Sequence, residues 1–350
     1  MRSSLLVLAA STAALAGVFT VSATSASGSE TGDGELVVDL AGDVEVTDGF
    51  VSVTSDSGRV WEMAGRALFM GNVEIESDTL EGSASRLLYD RGAGTAVMTG
   101  NVELTDGSNV LRADEVTWFR LLGKAVARGG VHMTGPWVGD VTGEYAMYDS
   151  GRGSIFVTSE PVLRRFEEGD SLVITADRLE FLPDSDRAEA QGNAVLDYPS
   201  EGVTAVSEFL VYSGIDETVE MLGGPVVTEG ENRLSGNWMK AELEGGGIRS
   251  IRIEGAADGY IVDTAETPPS ETWFSSERAY FSFTGGEPDS VDLTNSVTLV
   301  YRAGGEAAAR EESNTVSGQH LVVMYESGSV ESVFITGSAT GTYSYKGEGL

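Results

Sequence analysis

One short phrase recurs along the chain at a fixed interval, and that periodicity limits the fold more than any other feature. Gly42-Asp43-Val44, Gly71-Asn72-Val73, Gly100-Asn101-Val102 and Gly129-Gly130-Val131 lie 29 residues apart. Looser copies follow at Ser159, Gly192, Gly223, Gly255, Asn295 and Gly337, at intervals of 30 to 42 residues, which makes ten rungs. A repeat of this length cannot bury an apolar face alone, so neighbouring rungs must stack. Around the markers the apolar residues alternate: Ala67, Phe69, Val73, Ile75; Ala96, Met98, Val102, Leu104; Val291, Leu293, Val297, Leu299. Period two is the signature of a strand with one buried face. The glycine shares the parity of the buried residues. The strand therefore turns an inner corner there, where a side chain would not fit, or bends through a bulge.

A second phrase sits 13 to 17 residues after most markers, as in Ala84-Ser85-Arg86-Leu87-Leu88-Tyr89, Ala113-Asp114-Glu115-Val116-Thr117-Trp118 and Ala176-Asp177-Arg178-Leu179-Glu180-Phe181. It too reads as a strand. Between the phrases lie turn formers such as Asp90-Arg91-Gly92-Ala93-Gly94 and Asp149-Ser150-Gly151-Arg152-Gly153, which suit tight reversals. Each repeat is thus a bent hairpin, and stacked hairpins give two antiparallel sheets that face each other. A parallel β-helix is the rival, but its coils rarely need two reversals each.

The organisation expected is a leader at 1–26, a flexible linker at 27–35, regular repeats at 36–255, a more divergent continuation at 256–345 and a tail at 346–350. Arg2, the apolar run from Leu5 to Val21 and the small residues that follow resemble an export signal. An uncleaved anchor is the alternative, although the run is short for a span. With no cysteine, no disulfide, lipoprotein anchor or thiol nucleophile is available. A net charge of −33 excludes nucleic acid as a partner and argues against simple docking on an anionic membrane. The 45 glycines stand singly between apolar alternations and mark turns, not low-complexity tracts.

The repeated Gly-Asn-Val after an alternating strand, followed by Ala-Asp-x-apolar-x-aromatic, resembles the OstA-like (LptA-type) family of lipopolysaccharide-transport proteins. The likeness runs over about 36–345 and is sharpest over 64–182. It implies an all-β, elongated and open β-jellyroll of stacked antiparallel bent hairpins, resident in the periplasm. It implies lipopolysaccharide as ligand, its lipid A acyl chains held between the sheets. It also implies edge-to-edge pairing with similar jellyroll proteins, or with copies of the chain itself, to bridge two membranes. The chain is longer and more acidic than the soluble members of that family.

The residues expected to line the groove are Phe69, Val73, Ile75, Leu87, Met98, Val102, Leu104, Val116, Trp118 and Met133; ordinary inter-sheet core is the competing reading of each. Burying one acyl chain of about 12 methylenes offers on the order of 10 kcal/mol at roughly 0.8 kcal/mol per methylene. Exposed charges are screened over about 8 Å in physiological salt, so burial can outweigh repulsion between anions. Two edges are expected to accept a partner strand: the first rung, through Val37, Val38 and Leu40, and the last, through Val333, Phe334 and Ile335. The tail or the N-terminal segment covering them is the alternative. His132 and His320 stand on different strands, and acidic pairs such as Asp114-Glu115 are expected by chance among 55 acidic residues. No enzyme, cofactor or metal site is therefore expected. A structural or adhesive envelope repeat without ligand is the alternative function.

Overall fold

In the computed structural model the described residues are 20–47, 51–136, 139–167, 170–200, 202–244, 247–326 and 329–346. The expected leader lies outside them as far as residue 19. Apart from connecting turns, the described elements are strands except for the 3-10 turns Arg120–Leu122 and Pro183–Ser185 and the short helix Gly305–Ala308. This is the all-β stack of antiparallel bent hairpins that the repeat requires. Two compact units form, residues 1–165 with 177–186, and residues 166–176 with 187–350.

In the first unit the strands Leu36–Thr47, Val51–Trp61, Arg66–Ser77, Glu81–Asp90, Thr95–Thr105, Val110–Phe119, Lys124–Gly135 and Gly139–Asp149 each pair antiparallel with the next. Every marker is a break in that register. Ala41 pairs with Ser57 and Val44 with Ser55, so Gly42 and Asp43 together oppose Asp56. Both residues of the break are left-handed: Gly71 and Asn72 at φ 75° and 45°, Gly100 and Asn101 at 83° and 48°, Gly129 and Gly130 at 75° and 54°. The same pair recurs at Ser159-Glu160, where Pro161 follows and splits the rung into the strands Ser154–Thr158 and Val162–Glu167. The second unit repeats it at Gly192-Asn193, Gly223-Gly224, Gly255-Ala256, Asn295-Ser296 and Gly337-Ser338. The ten sequence markers are ten corners. Gly, Asn and Asp dominate them because only those residues enter the left-handed region at low cost.

The first residue of the second phrase lies inside the corner, which explains why it is always small. Ser55, Ala84, Ala113, Ser207 and Ser276 are buried. A Cβ at Gly143 would lie 2.6 Å from Val157 Cγ1, and one at Gly236 only 2.4 Å from Ile253 Cγ2. Where serine is used, its hydroxyl donates to a nearby main-chain carbonyl, as Ser55 does to Ser57, Ser207 to Phe209 and Ser276 to Arg278. No buried hydroxyl of these is left without a partner.

The second residue of that phrase faces the next marker. Asn72 Nδ2 donates to Asp56 Oδ2 at 2.9 Å, Ser85 Oγ to Gly100 O at 3.1 Å, and Asn295 Nδ2 to Glu277 Oε2 at 2.8 Å. These bonds cross from rung to rung along the corner. The reversals are joined in the same way, through Arg91 N–H to Gly65 O, Arg120 N–H to Gly94 O and Ser150 N–H to Gly123 O, each 2.9 to 3.0 Å.

One expectation is corrected. The segment 27–35, read as a flexible linker, contributes to the strand Ser25–Glu30, because the open backbone of the first rung can be paired by residues that need bury no side chain. The wider marker spacing after 255 reflects longer strands: Gly247–Asp263, Ser270–Thr284 and Glu287–Arg302 run 15 to 17 residues, against 10 to 12 for the strands between 66 and 119.

At Gly71 a Cβ would lie 2.4 Å from Asp56 Oδ2, whereas Gly130 has open space and stands where other rungs carry asparagine. Gly71→Ala is expected to cost about 1–3 kcal/mol in urea unfolding, and Gly130→Asn to be neutral or to stabilise by a few tenths, roughly, by restricting the unfolded chain.

Candidate functional site

The corners divide the sheet of the first unit into two layers, and the pairing register fixes what each layer turns inward. In one, Leu40, Gly58, Phe69, Leu87, Met98, Val116, Ala127, Ala146, Val157 and Leu179 are successive cross-strand partners. In the other, Ile75, Gly82, Leu104, Leu111, Met133, Val141 and Leu163 follow one another in the same way. Val73 and Val102 lie next to the corners, on the inside. Both rows are free of polar side chains, and Val73, Leu104 and Val141 are fully buried.

The two layers meet. A small apolar cavity of about 30 Å³ is lined by Leu111 and Met133 from one layer and by Val116, Ala125, Ala127, Ala146, Tyr148 and Ile155 from the other. That is room for about one water molecule. A Cβ at Gly82, in one layer, would lie 3.5 Å from Met98 Cε of the other. The interior is otherwise packed around this cavity, which lies beside Val116 and Met133.

Of the ten residues expected to line a groove, Phe69, Val73, Leu87, Met98, Val102, Leu104, Val116 and Met133 are buried between these layers. Ile75 and Trp118 are half-buried. Trp118 belongs to the row nearest the reversals, where Tyr89, Ala96, Trp118, Ala125, Tyr148 and Ile155 are successive partners. Large rings there alternate with smaller side chains, which gives the aromatic of the second phrase its place. Tyr89 Oη and Trp118 Nε1 are buried without a hydrogen-bond partner, and burial raises the Tyr89 pKa against the opposing pull of Arg120. Leu111, Ala146, Tyr148 and Ile155 were not anticipated as lining, although the first is the cross-strand partner of Leu104 and shares its parity.

The two edges behave differently. Val37, Val38 and Leu40, expected on an open edge, are paired: Ser29 lies opposite Val37, Gly28 opposite Val38 and Ala26 opposite Leu40. The strand Ser25–Glu30 thus covers that edge, and Val37 and Leu40 are buried. At the other end, the strand Ser329–Thr336 pairs only with Ser313–Glu326 among the described residues. Val333 and Ile335 share the inward parity of Val323 and Leu321, their partners, yet Val333 is 52% and Phe334 61% exposed. An apolar strand with free main-chain groups is left open there.

His132 bonds Asp140 at 3.2 Å and His320 bonds Asp292 at 3.0 Å, each across neighbouring strands. Among the described residues no three acidic or histidine side chains gather as metal ligands would.

Residues 30–123 match the family described as LptA/(LptD N-terminal domain) LPS transport protein. Over that segment, and under half of the chain, the sequence is similar to this lipopolysaccharide-transport family. The matched segment spans the first three corners and every candidate lining residue except Met133. Among solved structures, LptH of Pseudomonas aeruginosa, an LptA-homologous periplasmic component of the lipopolysaccharide transport device, matches at 17% identity. The match covers 38% of this chain and 75% of that one, with a TM-score of 0.19. At that score the likeness adds nothing to what the strand pairing shows. No curated protein matches the chain.

Leu104 has no exposed surface and sits between Gly82 and Leu111. Leu104→Ala is expected to cost about 2–5 kcal/mol in equilibrium unfolding. The half-buried Ile75 should cost clearly less on truncation to alanine, the reverse order being incompatible with the packed interior described.

Proposed function

We propose that the chain is a periplasmic carrier in lipopolysaccharide transport, exported by its N-terminal segment, that holds lipid A acyl chains between the two layers of its OstA-like domain. The observation that supports this most directly is the pair of facing apolar rows, continuous over many strands and interrupted only by Gly58 and Gly82. The reading assigns the chain no chemical step. The void is far too small for an acyl chain, so the layers must part to admit one. They are joined at the corners, and parting them at the reversals replaces side-chain contacts by lipid contacts of similar character. Little apolar surface then meets water, and the hydrophobic gain of about 0.8 kcal/mol per methylene is kept.

A photo-reactive residue in place of Ile75 is the direct test, because that position is inward and only half-buried. Lipopolysaccharide adducts are expected in cells at Ile75 and not at the outward Glu74. Equal labelling at both, or none at Ile75 in a folded protein, would count against the carrier.

The closed interior is also what a ligand-free structural repeat would have. Native mass spectrometry of the protein from its own envelope separates the two readings: bound lipid A species support the carrier, and a lipid-free chain supports the scaffold.

The open strand Ser329–Thr336 supports a further part of the proposal, that a similar jellyroll, or a second copy, adds a strand there. A charge on an edge blocks such pairing. Phe334→Lys is expected to abolish concentration-dependent association in sedimentation velocity without changing unfolding, and a variant that associates as before would remove this part of the reading.

A further inference from the structure

The net charge of −33 is not spread evenly. In the first unit, the reversals that lead into the marker strands form one rim, bonded turn to turn through Gly65, Gly94 and Gly123. Its three central turns carry Arg91, Arg120, Lys124 and Arg152 against two carboxylates, Asp90 and Asp149, while the flanking turns carry Glu62 beside Met63, and Asp184 with Asp186. Both central carboxylates are engaged. Asp90 binds Arg66 at 2.7 Å and the Ala93 amide at 2.8 Å, and Asp149 binds Lys124 at 3.1 Å and the Gly151 amide at 3.0 Å. Their pKa values are lowered accordingly, by the Ala93 amide first for Asp90 and by Lys124 first for Asp149. Among the described residues, Arg91, Arg120 and Arg152 have no carboxylate within ion-pair distance.

The same rim carries the most exposed large apolar side chains of this unit: Met63 at 74%, Leu121 at 72% and Leu122 at 65%. Leu121 is held in place over the next turn, where a Cβ on Gly94 would lie 2.9 Å from its Cγ. Two reversals at the opposite end of the strands, 77–81 and 105–110, are of opposite character, with Asp78, Glu81 and Asp106 and no cation. In the second unit the turn 214–217 has an exposed Ile215 beside Asp216 and Glu217. Among the described turns of the unit, exposed apolar tips beside unpaired guanidiniums occur on this rim.

We propose that this rim docks on the surface of an anionic phospholipid bilayer, with Leu121, Leu122 and Met63 entering the interface and Arg91, Arg120 and Arg152 meeting lipid phosphates. The chemistry is that of interfacial segments, in which apolar side chains and cations act together. A row of turns offers no open strand for a protein partner. Repulsion from the acidic remainder of the chain is screened beyond about 8 Å. Directly behind the rim lie the unpartnered Tyr89 hydroxyl, Trp118 indole N–H and Arg120 Nε–H, donors of the type that favour a membrane interface.

The test is flotation of the chain purified from the envelope with vesicles of phosphatidylglycerol and phosphatidylcholine in equal parts, or of phosphatidylcholine alone. Binding is expected only to the anionic vesicles, and is expected to vanish near 1 M salt, where the screening length is about 3 Å. Arg91→Ser with Arg152→Ser should weaken it roughly tenfold or more, and Leu121→Ser with Leu122→Ser should weaken it to a similar degree. Both pairs lie in exposed turns, and unchanged unfolding curves confirm that they fold. Equal binding to neutral vesicles, undiminished binding by either variant, or loss of binding to inorganic phosphate at constant ionic strength would overturn the proposal. Lipid A cross-linking at Ile75 should be unaffected by these variants in detergent solution, which keeps this surface separable from the carrier reading.

Discussion

Two consecutive residues in the left-handed region, once per rung, are the constraint on which the rest of the structure depends. A strand that stayed extended through 66–77 would present all its inward residues to one layer, and a single layer of these rungs has nothing to cover it. The double left-handed step puts two residues opposite one, resets the register and lets the same strand supply Phe69 to one layer and Ile75 to the other. Its conformational cost is small because the residues used are mostly Gly, Asn and Asp. Repetition at a fixed interval makes it cumulative. Each corner stands beside the one before it, so side-chain bonds such as Asn72 to Asp56 can run along the corner line.

Close stacking of corners then dictates the second phrase. Space inside the bend admits Ala, Ser or Gly and nothing larger, which is why Ala84, Ala113 and Gly143 occupy equivalent places. Two residues beyond the bend the inward position falls between the layers and can be filled by Leu or Val, and at the reversal end there is room for a ring opposite alanine. The taper from small to large along one half-strand describes two layers close together at the corner and further apart at the reversals. Under the proposed carrier reading, an acyl chain would enter from the reversal side.

Much of this was legible in the sequence because the pattern has two independent periods in register, alternation within a strand and recurrence between rungs. The position of all ten corners, including degenerate ones such as Ser159 and Asn295, could be read from spacing even where glycine was lost. What could not be read was anything that depends on main-chain pairing alone. The strand Ser25–Glu30 is built of Ser, Ala, Gly and Glu, exposes every side chain and carries no alternation, so nothing in it announces that it covers Val37 and Leu40. Nor does periodicity distinguish an open groove from a packed one. Phe69 and Val102 have the same parity in either case, and the small cavity is set by how far the layers approach, which is a tertiary quantity.

Charge shows the same limit at the scale of the surface. A sum over 350 residues treats Asp78, Asp106 and Arg91 as equivalent contributors, whereas the hairpin topology sends alternate reversals to different rims. Any bias between the two classes of turn becomes a separation in space, amplified by stacking: three arginines about thirty residues apart in sequence are brought to neighbouring turns. The coupling of a short sequence period to a long surface stripe is intrinsic to stacked hairpins. In such a chain the charge that governs encounter with a surface is the charge of one rim within a screening length, and the total is a poor guide to it.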